Sequence, residues 1–449
     1  MGFLDSAGIP PVLPPFFPMP AFAPLPFAPP QRHARASFTG RAGTFLWLLV
    51  SGVFLQLVTF GFYRFWLVTD LRRHLWSHTQ VDGDALEYTG RGRELLIGFL
   101  FALAILGPVF FIYFFISIEA ERLKAFLSLP LYLFLYLFGQ FATYRARRYR
   151  LTRTIWRGVR FWMQGSGWNY AFRAFGWGIV VSLTLGLALP WREASMERYK
   201  MQNTFYGDLQ GSFVATGWQF FKRGWWIWVL GLILLVSYVA LIAVIAVSGA
   251  ASLTPGSSTL SPDRTNLAKA LPAISSVFGL LLILSPIFYA KFKAIEMQWW
   301  AGGIRFGDLA VKSTLRGRSL LWLYVKLAFF LSLTLMVLGI LFSVLGFAGL
   351  RMFDPGALDI LGSGSSEHGR QWGEKNAIPI LVAGGFAYLL MLMALGTVQR
   401  FFLQRDFWRI AVNSVSLTHL EAADAVAARG DAVSGFGEGL ADGLDVAGF

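Results

Sequence analysis

Apolar runs of about 20 residues alternate with arginine-rich stretches along this chain. A run of that length crosses the hydrocarbon core of a bilayer as an α-helix, and Lys and Arg at its ends are retained on the cytoplasmic side. Two further apolar stretches, at about 43–63 and 168–190, are also long enough to cross. The main spans that the pattern predicts lie at about 94–116, 125–142, 224–248, 271–290, 319–350 and 378–399.

The two further stretches conflict with the distribution of positive charge. Residues 143–160 contain seven arginines, and residues 191–223 are also basic, so both segments are expected in the cytoplasm. An even number of crossings must then separate them, but 168–190 is the one apolar stretch between them. Either 43–63 and 168–190 are re-entrant or interfacial helices that return to the cytoplasm, or the charge rule is broken here.

The chain also matches itself. Residues 35–79 align with residues 160–204 at a constant offset of 125, and a looser copy is indicated where Tyr206–Leu209 recurs as Phe306–Leu309. We expect repeat copies at about 35–90, 160–215 and 280–318, each with an apolar helix, an aromatic step, a basic amphipathic helix and a short hairpin. The aligned identities are Arg35 with Arg160, Gly40 with Gly165, Thr59 with Thr184, Gly61 with Gly186, Trp66 with Trp191, Arg73 with Arg198 and Thr79 with Thr204.

The hairpin of the first copy covers Thr79 to Thr89 and has Asp82-Gly83 as its turn signal. Isolated two-stranded hairpins are marginal in water, so several copies are expected to pair into a small cytoplasmic sheet that caps the helices. The basic helices before the hairpins, at 66–78 and 191–203, are expected to lie at the membrane surface.

Composition supports a membrane protein. Only 14% of the 449 residues are charged, against about 25% in an ordinary soluble domain. The formal net charge of +14 lies beside the apolar runs, which favours anionic lipid over nucleic acid as the partner. The expected fold is all-α and multi-pass, with about 6–8 transmembrane helices. It divides into a Pro/Phe-rich tail at 1–34, a transmembrane domain at 35–410 and a cytoplasmic C-terminal tail at 411–449.

Basic and aromatic side chains beside the spans are the candidate contacts to lipid headgroups. Arginine binds phosphate through a planar fork, and tryptophan is enriched at the membrane interface. The basic candidates are Arg72, Arg73, Arg147, Arg148, Arg198 and Lys200, and the interfacial aromatics are Trp66, Trp156 and Trp191.

The sequence offers no catalytic, cofactor or metal site. Cysteine is absent, and the zinc-protease, phosphate-loop and serine-hydrolase motifs are not found. His74 and His78 share a helix face, but Arg72 and Arg73 would repel a cation there, so hydrogen-bonding histidines are expected. No enzymatic activity is predicted.

Several runs resemble the YjgN-like family of bacterial inner-membrane proteins. They include Ser37-Phe38-Thr39-Gly40, Thr59 to Tyr63 followed by Trp66, Trp156-Arg157-Gly158 and Pro190-Trp191. The resemblance covers about 35–430 and implies a multi-pass protein of the bacterial inner membrane whose biochemical role is uncharacterised. It supplies no catalytic residues.

Two functional hypotheses follow, and a third has little support. A lipid-interacting membrane scaffold is favoured by the basic, aromatic surface helices. A transporter or channel for an unidentified substrate is the alternative, suggested by the repeats and the glycine-containing apolar stretches, although the predicted spans contain no carboxylate. An enzyme acting on lipid has no motif behind it.

Overall fold

The computed structural model describes residues 32–119, 124–252, 261–353, 356 and 373–430; the expected Pro/Phe-rich tail lies almost entirely outside them. The strands are β1 His33–Phe38, β2 Thr79–Val81, β3 Asp84–Tyr88, β4 Thr154–Trp156, β5 Val159–Met163, β6 Thr204–Tyr206, β7 Leu209–Phe213, β8 Ile304–Phe306, β9 Leu309–Ser313 and β10 Val415–Thr418. The helices are α1 Ala42–Val58, α2 Arg64–Ser77, α3 Gly92–Glu119, α4 Lys124–Thr152, α5 Gly167–Leu183, α6 Leu189–Gln202, α7 Gly217–Ser252, α8 Ser261–Gly303, α9 Gly317–Phe353, α10 Ala377–Arg400 and α11 Phe407–Asn413. A π-helical turn at Phe401–Asp406 joins α10 to α11, and a 3₁₀ turn at Leu420–Ala423 follows β10.

The ten strands form one closed antiparallel barrel. Consecutive strands are neighbours, and the barrel closes where β1 pairs with β10, for example Arg35 opposite Ser416. The predicted all-α fold is therefore wrong. The expected hairpins do not cap a helical bundle as a small sheet, because each one also pairs with the next and the ring leaves no free edge.

Helix pairs connect neighbouring hairpins of the barrel. Each pair leaves the barrel after one strand and returns to it before the next, as α1 and α2 do between β1 and β2. The helices also contact one another in chain order, and α1 contacts α10, so they form a ring above the barrel. All hairpin turns consequently lie at the barrel end that faces away from the helices.

The hairpin turns follow from local sequence. Asp82 and Gly83 have φ of 55° and 86°, and Arg157 and Gly158 have φ of 48° and 75°. Two positive φ values are those of a two-residue type I′ turn, whose twist matches that of the flanking strands. The Asp82-Gly83 turn is the one that the sequence predicted.

Four helices among the described residues are long and apolar enough to cross a membrane: Gly92–Ile118, Gly217–Ala240, Gly317–Met352 and Ala377–Asn413. This finding indicates a membrane protein but does not support the predicted 6–8 spans. The predicted span 125–142 begins at residues of α4 whose side chains lie outside the described part. The predicted span 271–290 lies partly outside the described side chains.

The apolar stretches 43–63 and 168–190 form short helices that end in a turn. Helices α1 and α5 have 17 residues each, about 25 Å, and then reverse direction into α2 and α6. The longer helices α3 and α7 have 28 and 36 residues. Each of these short helix pairs, α1–α2 and α5–α6, returns to the barrel from which it starts.

The barrel interior is apolar and is closed by the chain's own C-terminal segment. Trp156, Tyr206 and Leu309 pack together inside it with Leu420, which is fully buried in the 3₁₀ turn. Residues 411–449, expected to be a tail, therefore include strand β10 and this closing segment. The open end of the barrel faces the helices, where the candidate site lies.

Candidate functional site: a charged cavity above the barrel

A cavity of about 650 Å³ lies among α4, α6, α8, α9 and α11, next to β9 and β10. It contains as many basic as acidic side chains. Its charged lining residues are Arg147, Glu193, Glu197, Lys200, Lys293 and Glu296, and its aromatic lining residues are Trp299, Trp300, Tyr324, Phe407 and Trp408.

Helix α6 supplies three of the charged groups. Residues 193, 197 and 200 are separated by four and three positions, so one face of the helix presents all three side chains. The rest of that face belongs to the protein interior, because Ala194, Met196 and Met201 are buried. The helix is short and polar, yet this face of it packs against the protein.

Glu197 and Lys200 form a buried, hydrogen-bonded ion pair. Lys200 Nζ donates to Glu197 Oε1, and Trp300 Nε1 donates to Glu197 Oε2 at 3.1 Å. Arg147 lies 4.0 Å from the same Oε2. The Glu197 residue is 7% exposed, so its carboxylate depends on these partners rather than on water.

The surroundings shift the pKa of both groups. Burial disfavours the ionised Glu197 carboxylate, but Lys200, Arg147 and the Trp300 hydrogen bond outweigh burial and hold the pKa of Glu197 below its usual value. Burial lowers the pKa of Lys200 against the opposing attraction of Glu197. Glu197 is therefore a stable anion at neutral pH.

Glu193 behaves differently from Glu197. Burial raises its pKa, and the neighbouring Glu197 and Glu296 raise it further, while Arg192 and Lys200 act in the opposite direction. Its ion pair is with Arg192, at 2.9 Å, and Lys293 pairs with Glu296 at 2.9 Å on α8. The cavity thus offers one carboxylate held ionised and one that takes up a proton more readily.

The structure separates the residues predicted to contact lipid headgroups. Arg147 and Lys200 line the cavity, and Arg72 is buried on α2 with 4% exposure. Arg148 on α4 is half-buried, whereas Arg73 and Arg198 are exposed. The six residues therefore do not form one surface layer.

The predicted interfacial tryptophans are divided as well. Trp66 and Trp191 are partly exposed at corresponding places on α2 and α6. Trp156 lies in the barrel core, 5.5 Å from the ring of Tyr206.

The two predicted histidines lie together inside the helical ring. The His78 Nδ1 atom is 2.8 Å from the carbonyl oxygen of His74, and the two rings are 4.2 Å apart. Burial, together with the positive charges of His78 and Arg405, lowers the pKa of His74 to about 4. Across the described residues, no group of three or more His, Asp and Glu side chains is arranged to hold a metal ion.

Sequence reasoning missed Glu193, Glu197, Lys293 and Glu296. The basic character of 191–203 predicted a helix at the membrane surface, and that interpretation took no account of the acidic residues of the helix. The available signal was the spacing of Glu193, Glu197 and Lys200 on one face of a helix whose same face also carries alanine and methionine.

Comparison with known proteins places the chain in a family. The profile of a bacterial protein family of unknown function, DUF898, matches residues 33–443. The chain belongs to this family. The YjgN-like resemblance is thereby confirmed. The matched range includes the whole barrel, the helical ring and the cavity, and the family's description assigns no catalytic activity. No curated protein and no solved structure matches the chain.

Proposed function

We propose that the protein is a multi-pass bacterial inner-membrane protein that binds a small charged solute in the cavity above the barrel, as a transporter does. The observation that carries the proposal is the set of six charged side chains around a cavity of about 650 Å³. Small-molecule sites occupy about 300–1,000 Å³ and combine apolar walls with a few placed polar groups.

The energetic cost of these charges supports a functional role. Removing an ion pair from water costs several kcal/mol per ion, and apolar residues of the same volume are often as stable or more stable. Charges kept around a cavity at this cost, where apolar residues would serve stability as well, therefore support a binding role. A chain with only 14% charged residues places six of them around one cavity.

The lining indicates the chemistry of the solute. Carboxylates and cationic groups are equal in number, and the Trp300 and Trp408 rings add flat apolar surface. A solute with both an ammonium and a carboxylate group could replace the internal partners pairwise, so no lining charge would be left without a counter-charge. We therefore favour a zwitterion over a simple anion or cation.

Solute access tests the proposal directly, and the absence of native cysteine makes the test clean. We expect Met297→Cys and Ala411→Cys, both at the cavity wall, to react with a small water-soluble thiol reagent in the reconstituted protein. Ala102→Cys, in a fully buried helix contact, is the unreactive control, and Ser77→Cys, at an exposed helix end, is the reactive control.

Protection then identifies the solute. Zwitterionic amino acids, dicarboxylates and polyamines are screened for slower labelling of Met297→Cys, with Ser77→Cys as the matched control. We expect protection by one class, the zwitterions. If both wall cysteines are as inert as Ala102→Cys, no solute reaches Glu197 and the proposal is wrong.

A lipid-interacting scaffold is the second candidate. It is favoured by the exposed pairs Arg73 with Trp66 and Arg198 with Trp191, which occupy corresponding positions on α2 and α6. Arg73→Lys with Arg198→Lys keeps the charge but loses the bidentate fork. Specific phosphate recognition predicts that this double variant retains less anionic lipid after detergent extraction, whereas unchanged retention contradicts it.

We also propose that the helix-hairpin units arose as internal copies. The support is the offset of 125, at which α1 and α5, α2 and α6, and β2 and β6 all have equal bounds. If the units are copies, their β-hairpins are alike. This would explain how several hairpins pair in a single closed ring although the helices that flank them are very different.

A further inference from the structure

Two turns at the tips of the short helix pairs have the same unusual construction. The first, Thr59 to Tyr63, joins α1 to α2, and the second, Thr184 to Ala188, joins α5 to α6. Each begins with a left-handed apolar residue followed by a left-handed glycine: Phe60 at φ 51° before Gly61, and Leu185 at φ 49° before Gly186. Bulky residues rarely adopt positive φ, and a turn in water normally places Gly or Asn there.

Both turns satisfy their backbone N–H groups without water. Every backbone N–H from residue 59 to 64, and from residue 184 to 189, donates a hydrogen bond within its own hairpin. The threonine hydroxyl completes the set: Thr59 Oγ1 donates to the Leu55 carbonyl at 2.7 Å and accepts from the Tyr63 N–H at 3.0 Å. Thr184 does the same with Val180 and Ala188, at 2.8 and 3.1 Å. Hydrocarbon imposes this requirement on backbone, and water does not.

The side chains at the tips project outward and are apolar. Phe60 is 95% exposed, and Leu183 and Leu185 are each 80% exposed. In water, two corresponding tips of this composition would be exposed hydrophobic patches. The same residues in lipid need no covering by protein.

A hydrogen bond fixes the position of the second tip along the neighbouring helix α7. The Gly186 carbonyl accepts from Trp228 Nε1 at 3.0 Å, and Trp228 lies in the first half of α7, which continues to Ser252. Helix α4 continues past the tip of the α5–α6 helix pair. Below the tip, Tyr132, Leu133, Ile179 and Leu183 line an open apolar groove of about 560 Å³ between α4 and α5.

From these observations we infer that the two short helix pairs, α1–α2 and α5–α6, are re-entrant. They enter the bilayer from the barrel side, turn within the hydrocarbon and do not reach the other face. Their partner is the lipid acyl chains, which surround Phe60 and Leu185 and occupy the groove between α4 and α5. This inference rests on the turns and not on the charged cavity, so each can fail without the other.

Depth measurement by spin labelling tests the inference. Phe60→Cys, Leu185→Cys and Leu183→Cys carry a nitroxide in the full-length protein in phosphatidylethanolamine/phosphatidylglycerol vesicles, and oxygen and a water-soluble nickel chelate compete to relax it. Leu183 lies in regular helix, so its variant retains a readable position if a turn variant does not fold. Phe347→Cys, exposed on the long helix α9, is the lipid control, and Asp308→Cys, at a barrel turn, is the aqueous control.

We expect all three tip labels to behave like Phe347→Cys, with strong relaxation by oxygen and loss of relaxation by nickel. Nickel relaxation equal to that of Asp308→Cys would place the tips in water, either beyond the far face or outside the membrane, and would overturn the inference. Protection from both relaxers would also overturn it, because a protein neighbour rather than lipid would then cover the tips.

Discussion

At the scale of single residues, the cavity depends on a few charges that cannot be removed one at a time. Glu197 has three partners, Lys200, Trp300 and Arg147, and little contact with water. Loss of one member of a buried pair leaves the other charge without compensation, which costs more than the pair itself contributes. Removing one charge and removing both therefore give different results. A cluster retained for stability loses stability in both cases, whereas a cluster retained for function loses it only when one charge is removed.

Glu197→Gln should lower the free energy of unfolding by about 3 kcal/mol or more, because Lys200 is left buried without its anion. Glu197→Leu combined with Lys200→Met removes both charges and should recover most of that loss. Thermal and denaturant unfolding of the three proteins in detergent measures the difference. A double variant as unstable as the single one would show that the pair itself is essential to the fold.

Glu193 gives a prediction of pH dependence. Its folded pKa is raised by burial, with Glu197 and Glu296 acting in the same direction against Arg192 and Lys200. A raised carboxyl pKa contributes stability that is complete below the ordinary value of 4.5 and is lost as pH rises through the folded value. Relative to the wild type, Glu193→Gln should therefore become more stable as pH rises through that window. The unfolding midpoint against pH measures this, with Glu87→Gln, at an exposed position of β3, as the matched control.

At the scale of elements, the sequence predicted the features that depend on a long internal repeat or on a few adjacent residues. The match at an offset of 125 predicted a common order of elements, and α1 and α5 do begin and end 125 positions apart. The Asp82-Gly83 turn was predicted because two residues suffice to specify it. Strands of three residues, such as β4 and β8, carry too little alternation to be recognised.

The closed barrel was missed because its closure is not local. The pairing of β1 with β10 joins positions about 380 residues apart, and no periodicity in either segment indicates it. The cavity was missed for a related reason. Lys200 and Arg147 look like surface charges until tertiary packing places Glu197 between them.

The closing segment after β10 should contribute strongly to stability. Leu420 is fully buried against the aromatic core of the barrel, and its N–H donates to the Arg32 carbonyl at 3.4 Å. Leu420→Ala should cost about 2–5 kcal/mol, as expected for a cavity left in a packed core. Val214→Ala, at an exposed position after β7, is the matched control and should change little. Equal unfolding midpoints for both variants would show that the segment does not seal the core.

At the scale of the whole molecule, one closed ring imposes one orientation. Each helix pair returns to the barrel, so all ten strands and all hairpin turns must lie on the same side of the bilayer. The seven arginines at 143–160 lie at the end of α4, in the β4–β5 turn and on β5, which places the strongest positive charge at the barrel. From the positive-inside rule we predict that the barrel lies in the cytoplasm.

Cysteine labelling tests this orientation as a single property of the molecule. Glu87→Cys on β3, Arg198→Cys on α6 and Lys312→Cys on β9 are exposed positions on three different parts of the ring. With a membrane-impermeant thiol reagent, we expect none of them to react in intact cells and all of them to react in inside-out vesicles. Uniform reaction in intact cells would reverse the orientation but keep the ring. If one position reacts from outside and another only from inside, a single barrel on one side of the membrane is excluded. The strands that carry Glu87 and Lys312 belong to one continuous hydrogen-bonded circle, and the helix that carries Arg198 leads directly into it.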